Sequence, residues 1–434
     1  MEIHPISNFA PPYEVFRCIE ERENIAALLE SGEGPEHITR YSIIAWGSKE
    51  YIKFKNGKAY GSILGEFDDP LIPLFKLLEK APYVTSLPGI FRGGIIGYFS
   101  YDMVRYWERL PNITTDLDNW PDFEFFIPQN FIIYDHAEGK VYTYGEIPQL
   151  SSCREIGDIK SKLIEESLNR EEYEKAVANA LEYIRSGYIF QVVISRFYKY
   201  EINGDPMKFY YRLRKTNPSP YMFYLKFNER SLIGSSPETL FRVKGSIVET
   251  YPIAGTRPRG RDVEEDLKLE AELINSEKDK AEHLMLVDLA RNDLGKVCVA
   301  GSVKVPELMY IEKYSHVQHL VSKVIGILRK NSNAFDVLKA TFPAGTVSGA
   351  PKPMAMKIIE EFENYRRGPY AGAVGFFSKN GDSEFAILIR SGFIIHNILR
   401  IQAGAGIVYD SEPYLEYLET EHKLKALKVA LGVE

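Results

Sequence analysis

Strand-like runs follow one another along this 434-residue chain without the regular β-α alternation that a doubly wound parallel sheet requires. Over residues 1–150 the runs Tyr41–Trp46, Tyr51–Phe54, Gly94–Phe99 and Phe131–Tyr134 alternate with turn signals. Helical patterning there is limited to Val15–Glu30 and Leu71–Lys80. A small, polar stretch at Pro148–Gly157 predicts a connector, dividing an N-terminal region (1–150) from a second region (165–434). A helix is expected over Arg170–Ser186, ended by Gly187. Strands then follow at Ile189–Tyr200, Tyr221–Phe227, Ser231–Gly234, Leu240–Val243 and Ser246–Glu249. After a helix at Ser276–Gly295, further helices are expected near His316–Leu328, Ala334–Ala340 and Met354–Phe362. Strands resume at Ala371–Ser378, Ser383–Ile395 and Leu399–Tyr409 before a last helix, Tyr414–Leu431. The expected fold is α+β, with large, mostly antiparallel sheets packed as a sandwich and flanked by helices.

Two helices carry paired acids. In SEKDKAEHLMLVDLARNDLG, Ser276 can cap the helix, and Leu286, Leu289 and Ala290 form an apolar stripe. Asp279 and Glu282 share a face, with Glu282 one turn before Leu286, so a carboxylate lies in line with the buried stripe. A carboxylate so placed pairs with a cation or binds a metal. The last helix repeats the pattern with Glu416, Glu419 and Lys423. Two such pairs could supply oxygen ligands to Mg²⁺. The alternative is two salt-bridged surfaces, since Glu-to-Lys pairs one turn apart are common on solvated helices.

Gly-rich turns point to an anionic ligand. FPAGTVSGAPK (Phe342–Lys352) opens toward a helix N-terminus, where backbone N–H groups favour anions. QAGAG (Gln402–Gly406) interrupts a strong strand, which marks close backbone approach. Neither nucleotide-binding glycine fingerprint is present. Arg390 ends the apolar run AILIR, as a salt-bridge partner or an anion ligand. His283, His316 and His319 are by default satisfied core groups.

A net charge of −7 and a pI near 5.8 disfavour a nucleic-acid partner. Cys18, Cys153 and Cys298 are odd in number and widely spaced, and they are expected as reduced core thiols. The start, MEIHPISNFAPPYEVF, lacks the basic and apolar regions of a signal peptide, and no apolar run reaches the length of a membrane span. A soluble cytoplasmic protein is expected.

PIAGTRPRG (Pro252–Gly260), EHLMLVDLARNDLG (Glu282–Gly295), HVQHLVS (His316–Ser322), FPAGTVSGAPK, RGPYAGAVGFF (Arg367–Phe377), QAGAGIV and ETEHK (Glu419–Lys423) together resemble the chorismate-utilising enzymes, in that family's order. Agreement is greatest with members that make anthranilate, and it extends to LLES (Leu28–Ser31), RYSII (Arg40–Ile44) and NPSPYMF (Asn217–Phe223).

The resemblance implies Mg²⁺ between Glu282 and Glu419, with Asp279 and Glu416 farther out. Asp279 stands where the family commonly has glutamate. Backbone donors are implied at Gly345–Gly349, including Thr346 and Gly349, and at Gly404, Ala405 and Gly406. Tyr370 and Arg390 are implied to bind the enolpyruvyl carboxylate, with Gly255, Thr256 and Lys423 also at the substrate. Glu238 matches the family's acid for the leaving C4 hydroxyl, and His319 its base for the C2 proton. Gln191 stands where water-adding relatives carry a lysine base, and Ala254 where C4-aminating relatives carry a lysine nucleophile. Both differences imply ammonia attack at C2 followed by pyruvate loss. Isochorismate, salicylate or aminodeoxychorismate synthesis is the alternative, as is a silent tryptophan-binding scaffold.

No cysteine sits in a glutaminase-like turn, so a separate glutamine amidotransferase subunit is implied, commonly in a heterotetramer. Glu30 and Ser31 would receive the ammonium group of a feedback inhibitor, tryptophan, against an apolar wall of Pro220, Tyr221 and Met222.

Overall fold

The computed structural model describes the chain except residues 33, 36–37, 49, 148–152 and 315–316. His316 and the first half of the expected connector lie outside the described residues.

Two 12-stranded sheets face each other, and every named strand pair in them is antiparallel. Strands from before and after residue 150 stand side by side in both. Ile25–Glu30 pairs with Tyr221–Phe227 in the first sheet, and Gly94–Phe99 pairs with Ala373–Ser378 in the second. The main core lies between the sheets, where Phe223 and Phe393 of the first meet Phe99, Phe125 and Phe385 of the second. Helices Pro12–Glu20, Pro206–Thr216 and Pro413–Leu431 bury their apolar faces against the outer side of the first sheet. Helices Arg170–Arg185 and Lys352–Phe362 build a third cluster near its end.

Most elements fall where the sequence places them, and the exceptions have physical causes. The helix expected over Val15–Glu30 ends at Glu20, and Ile25–Glu30 is a strand. Ala27 faces the inter-sheet core while Ala26 and Leu28 face the outer one, so burial on both faces erases the alternation of a half-exposed strand. His316–Leu328 was expected to be helical, but Val317–Ile327 is a strand. Its β-branched residues suit a central position, paired to Ile247–Thr250, Ile253–Pro258 and Lys304–Lys313. The expected single strand Ser383–Ile395 is two, one in each sheet, broken by Arg390 at φ 51°. Elements not anticipated from the sequence include helices Pro206–Thr216 and Val263–Asn275 and strands Phe123–Ile127, Lys140–Tyr144, Ile159–Glu166, Ile253–Pro258 and Lys304–Lys313.

The cysteines also require a correction. Cys18 and Cys153 form a disulfide with Cα atoms 5.1 Å apart, and only Cys298 is a free, buried thiol. Wide spacing in sequence says nothing of proximity in space. Among the described residues no helix is long and apolar enough to cross a membrane.

Candidate active site

Of the places where the chain crosses between the sheets, two lie side by side. One crossing, between Arg230–Ser236 and Thr239–Lys244, carries Glu238; the other, between Ser383–Ile387 and Ser391–Ile395, carries Arg390. Backbone bonds tie them together: the Ile387 N–H donates to the Glu238 carbonyl at 3.0 Å, and the Ser235 N–H donates to the Arg390 carbonyl at 3.1 Å. A cavity of ≈ 840 Å³ opens beside them. Ser276 caps the helix Glu277–Gly295 by accepting from the Asp279 N–H at 3.2 Å, and that helix presents Asp279 and Glu282 to the cavity. The last helix presents Glu416, Glu419 and Lys423.

Glu238 is buried, and its Oε1 accepts from Thr346 Oγ1 at 2.7 Å. Burial lifts its pKa to about 7, against the opposing pull of Thr346, Arg390 and Lys423. His319 sits opposite Thr256 on the paired strand. Its Nδ1 lies 3.1 Å from the Gly255 carbonyl and 3.0 Å from Thr256 Oγ1, while its buried Nε2 has no partner among the described residues. A carbonyl can only accept, so Nδ1 holds the proton and Nε2 the lone pair. Burial, then the charge of Arg390, brings this imidazole down to about 4. It is neutral near pH 7, but a weaker base than the ordinary imidazole expected from sequence. Tyr314 packs edge-on to the ring at 5.6 Å.

Arg390 faces the cavity with no carboxylate partner among the described residues, and burial lowers its pKa. An unpaired guanidinium beside a polar cavity is a receptor for an anion, and its planar fork suits a carboxylate. Tyr370 lines the same wall next to Gly404. A Cβ at Gly404 would stand 3.0 Å from the Tyr370 hydroxyl, and one at Gly406 only 2.7 Å from Gln191 Nε2. The Gln191 amide donates to Glu282 Oε1 at 2.8 Å, and its own carbonyl oxygen is buried without a partner among the described residues.

Thr346, Gly255, Thr256, Gly404, Gly406 and Lys423 all line the cavity, but two expected ligands do not. Gly349 lies behind the wall, where a Cβ would meet the Gln191 carbonyl at 2.2 Å, and the Ala405 side chain is buried in the third apolar cluster. Asn217 and His422 do line the cavity without having been singled out as substrate contacts. Both belong to the family motifs, Asn217 to NPSPYMF and His422 to ETEHK, but neither residue type by itself marks a contact. His283 is buried in the core, its Nε2 2.6 Å from the Ser322 hydroxyl, but its buried Nδ1 has no partner among the described residues, so it is only half satisfied.

The acid set fits Mg²⁺ in a restricted way. Burial raises Glu282 first, then the like charges of Glu419 and Asp279, and burial followed by Glu419 raises Glu416. Mutual repulsion of this kind is what a cation relieves. Among the described residues, however, no three His, Cys, Asp or Glu side chains stand close enough to hold an ion together. Asp279 is committed to Arg257 at 2.9 Å, and Glu419 to Lys423 at 2.7 Å. That suits an ion held by one or two carboxylates, with the remaining positions left to water and substrate oxygens, as Mg²⁺ prefers.

A cavity walled by paired acids, glycine backbone and a free arginine, with an acid and a neutral base at hand, suits a small dicarboxylate. The model of the chorismate binding enzyme family matches residues 25–429, and the chain belongs to that family. It is 63% identical over 433 residues to anthranilate synthase component 1 of Saccharolobus solfataricus, covering 100% of both chains. It is 43% identical to the component 1 of Aquifex aeolicus, over 97% of this chain and 92% of that one. Among solved structures, anthranilate synthase component I from Streptococcus pneumoniae matches with a TM-score of 0.81 and 38% identity, over 90% of this chain and 92% of that one. The menaquinone-specific isochorismate synthase of Escherichia coli shares the fold, with a TM-score of 0.77 at 19% identity over 99% and 94% of the two chains.

Proposed function

We propose that this chain is the synthase subunit that converts chorismate and ammonia to anthranilate, pyruvate and water. The observation that carries the reading is the pairing of two groups in one cavity: Glu238 with its carboxyl pKa near 7, and His319 neutral with a free Nε2. Arg390 and Tyr370 hold the enolpyruvyl carboxylate. Glu282 and Glu419 would hold Mg²⁺, which when bound neutralises the ring carboxylate and orients the ring.

In the first step the nitrogen lone pair attacks C2, the ring π electrons shift and the C4–O bond breaks. Glu238 gives its proton to the departing hydroxyl, which leaves as water. In the second step His319 Nε2 takes the C2 proton, the electrons form the aromatic ring, and the C3–O bond breaks to release pyruvate. Aromatisation supplies the driving force that lets so weak a base suffice. Gln191 cannot deprotonate water, whereas ammonia arrives with its lone pair available.

The nitrogen comes from a partner. Cys18 and Cys153 are bonded to each other, and burial both hides the Cys298 thiol and raises its pKa, so none serves as a glutaminase nucleophile. A glutamine amidotransferase subunit docks on this chain to supply ammonia.

A second cavity of ≈ 360 Å³, lined by Ser31, Pro220, Tyr221 and Met222, is read as the tryptophan site. Glu30 takes a different part from the one expected. Its carboxylate is turned to the outer face, where Arg214 binds it at 3.0 Å and Tyr210 at 2.5 Å, so its backbone faces the cavity. Ser31 donates its hydroxyl to the Tyr41 carbonyl at 2.6 Å, leaving its oxygen lone pairs to accept.

Purified chain given chorismate, Mg²⁺ and an ammonium salt is expected to develop anthranilate fluorescence, and none with glutamine as sole nitrogen donor. Isochorismate or salicylate as product would replace this reading with the water-adding one.

A further inference from the structure

The two cavities share no lining residue, yet one short stretch of chain enters both. Asn217 lines the catalytic cavity, and Pro220, Tyr221, Met222 and Phe223 line the smaller one. Tyr221 is the junction. Its hydroxyl donates to Glu384 Oε1 at 2.9 Å and shares a hydrogen bond with Thr239 Oγ1 at 2.7 Å. Thr239 directly follows the acid Glu238. Glu384, held also by Arg242 at 2.6 Å, belongs to the strand that runs to Ile387 and its bond with the Glu238 carbonyl. A second link leaves the same stretch: Ser235 donates its hydroxyl to the Asn217 carbonyl and its N–H to Arg390. The acid and the carboxylate-binding arginine are thus both hung from the segment that walls the smaller cavity.

We propose that the Tyr221–Thr239 contact couples the two cavities, so that a ligand filling the smaller one displaces Glu238 from its station beside Thr346. The proposal rests on reading the smaller cavity as the tryptophan site. Thr239 is a positioning residue, acting through Glu238, and it does not line the smaller cavity. The contact transmits movement because Thr239 is buried and Tyr221 wholly enclosed at its hydroxyl end. Parting them would cost the buried Thr239 hydroxyl its bond to Tyr221, whose own hydroxyl keeps Glu384, so they move together. Coupling of this kind is reciprocal: chorismate weakens tryptophan by the factor by which tryptophan weakens chorismate.

The test titrates tryptophan by calorimetry with and without chorismate and Mg²⁺, omitting ammonia so that nothing turns over. In the parent chain chorismate is expected to weaken tryptophan by about tenfold, within the usual range of such couplings. Thr239→Val, nearly the same shape without the hydroxyl, is expected to bind tryptophan as the parent does. In that variant chorismate should shift the affinity by less than about twofold, and saturating tryptophan should leave most of the turnover intact. Tyr221→Phe serves if the valine variant fails to fold; measured against its own tryptophan affinity, because Tyr221 also walls the smaller cavity, it should likewise shrink the shift that chorismate causes. Ser31→Phe fills the cavity and should bind no tryptophan at all. Full coupling in both hydroxyl variants would overturn the proposal and leave the tryptophan site standing. A parent chain that binds no tryptophan would overturn the site and the coupling with it.

Discussion

Glu238 and His319 divide the pH scale between them. In the proposed mechanism Glu238 works protonated and loses that form as pH rises through about 7, while His319 works neutral and loses that form as pH falls through about 4. For the free enzyme, kcat/KM for chorismate at a constant concentration of free ammonia should therefore be level between these values and fall outside them. Glu238→Gln removes the proton donor, so turnover should drop by about 10²–10⁴-fold and the alkaline limb should vanish with it. Stopped assays by anthranilate fluorescence across the pH range check both. An unchanged alkaline limb in the glutamine variant would assign the acid to another group. Gln191 and Arg390 show why side-chain identity alone underdetermines a role. Each is informative because of what it lacks, an acceptor left unpaired in one and a carboxylate partner in the other.

At the scale of elements, the active site is where strands change sheets and where a strand gives up its side chains. The crossings at Glu238 and Arg390 free two polar residues from ladder pairing just where the core ends. In strand Ile398–Ile407, Gly404 and Gly406 face the cavity while Ala405 faces the packed side. Gly406 and Gly349 should respond differently to alanine. At Gly406 the new methyl meets only the Gln191 amide, 2.7 Å away, which can swing aside by releasing Glu282. Gly406→Ala should cost roughly tenfold in kcat/KM, equal to one hydrogen bond of about 1.4 kcal/mol, with the melting temperature little changed. Gly349 has φ 132° and would place its methyl 2.2 Å from a backbone carbonyl. Gly349→Ala should therefore lower stability by about 1–3 kcal/mol or more. Thermal melts beside steady-state rates separate the two cases.

Across the whole molecule, the Cys18–Cys153 disulfide joins helix Pro12–Glu20 to the connector itself across a sequence separation of 135. That helix packs on Ile25–Glu30, the strand leading into the smaller cavity. Closing so long a loop restricts the unfolded chain, so Cys18→Ser should cost about 2–4 kcal/mol of stability. Turnover at moderate temperature should persist, because neither cysteine lines the catalytic cavity. Denaturant titration of the parent and variant under non-reducing conditions measures the difference. Equal midpoints would mean that the cross-link contributes no stability.

The sequence by itself determined the antiparallel α+β architecture and the helix faces bearing Asp279, Glu282, Glu416 and Glu419, and its family motifs singled out Glu238, His319 and Arg390, which line one cavity. Those features are local, held in periodicity, caps and compact motifs that a linear reading can find. Only the tertiary structure decided which cysteines meet, which sheet each half of Ser383–Ile395 joins, and that Val317–Ile327 is a strand. It also turned the Glu30 carboxylate away from its cavity and set the protonation of His319. Each of these depends on partners distant in sequence, through burial on a second face, an ion pair from another helix or desolvation by the assembled core. None of those partners is visible from a residue's own neighbours in the chain.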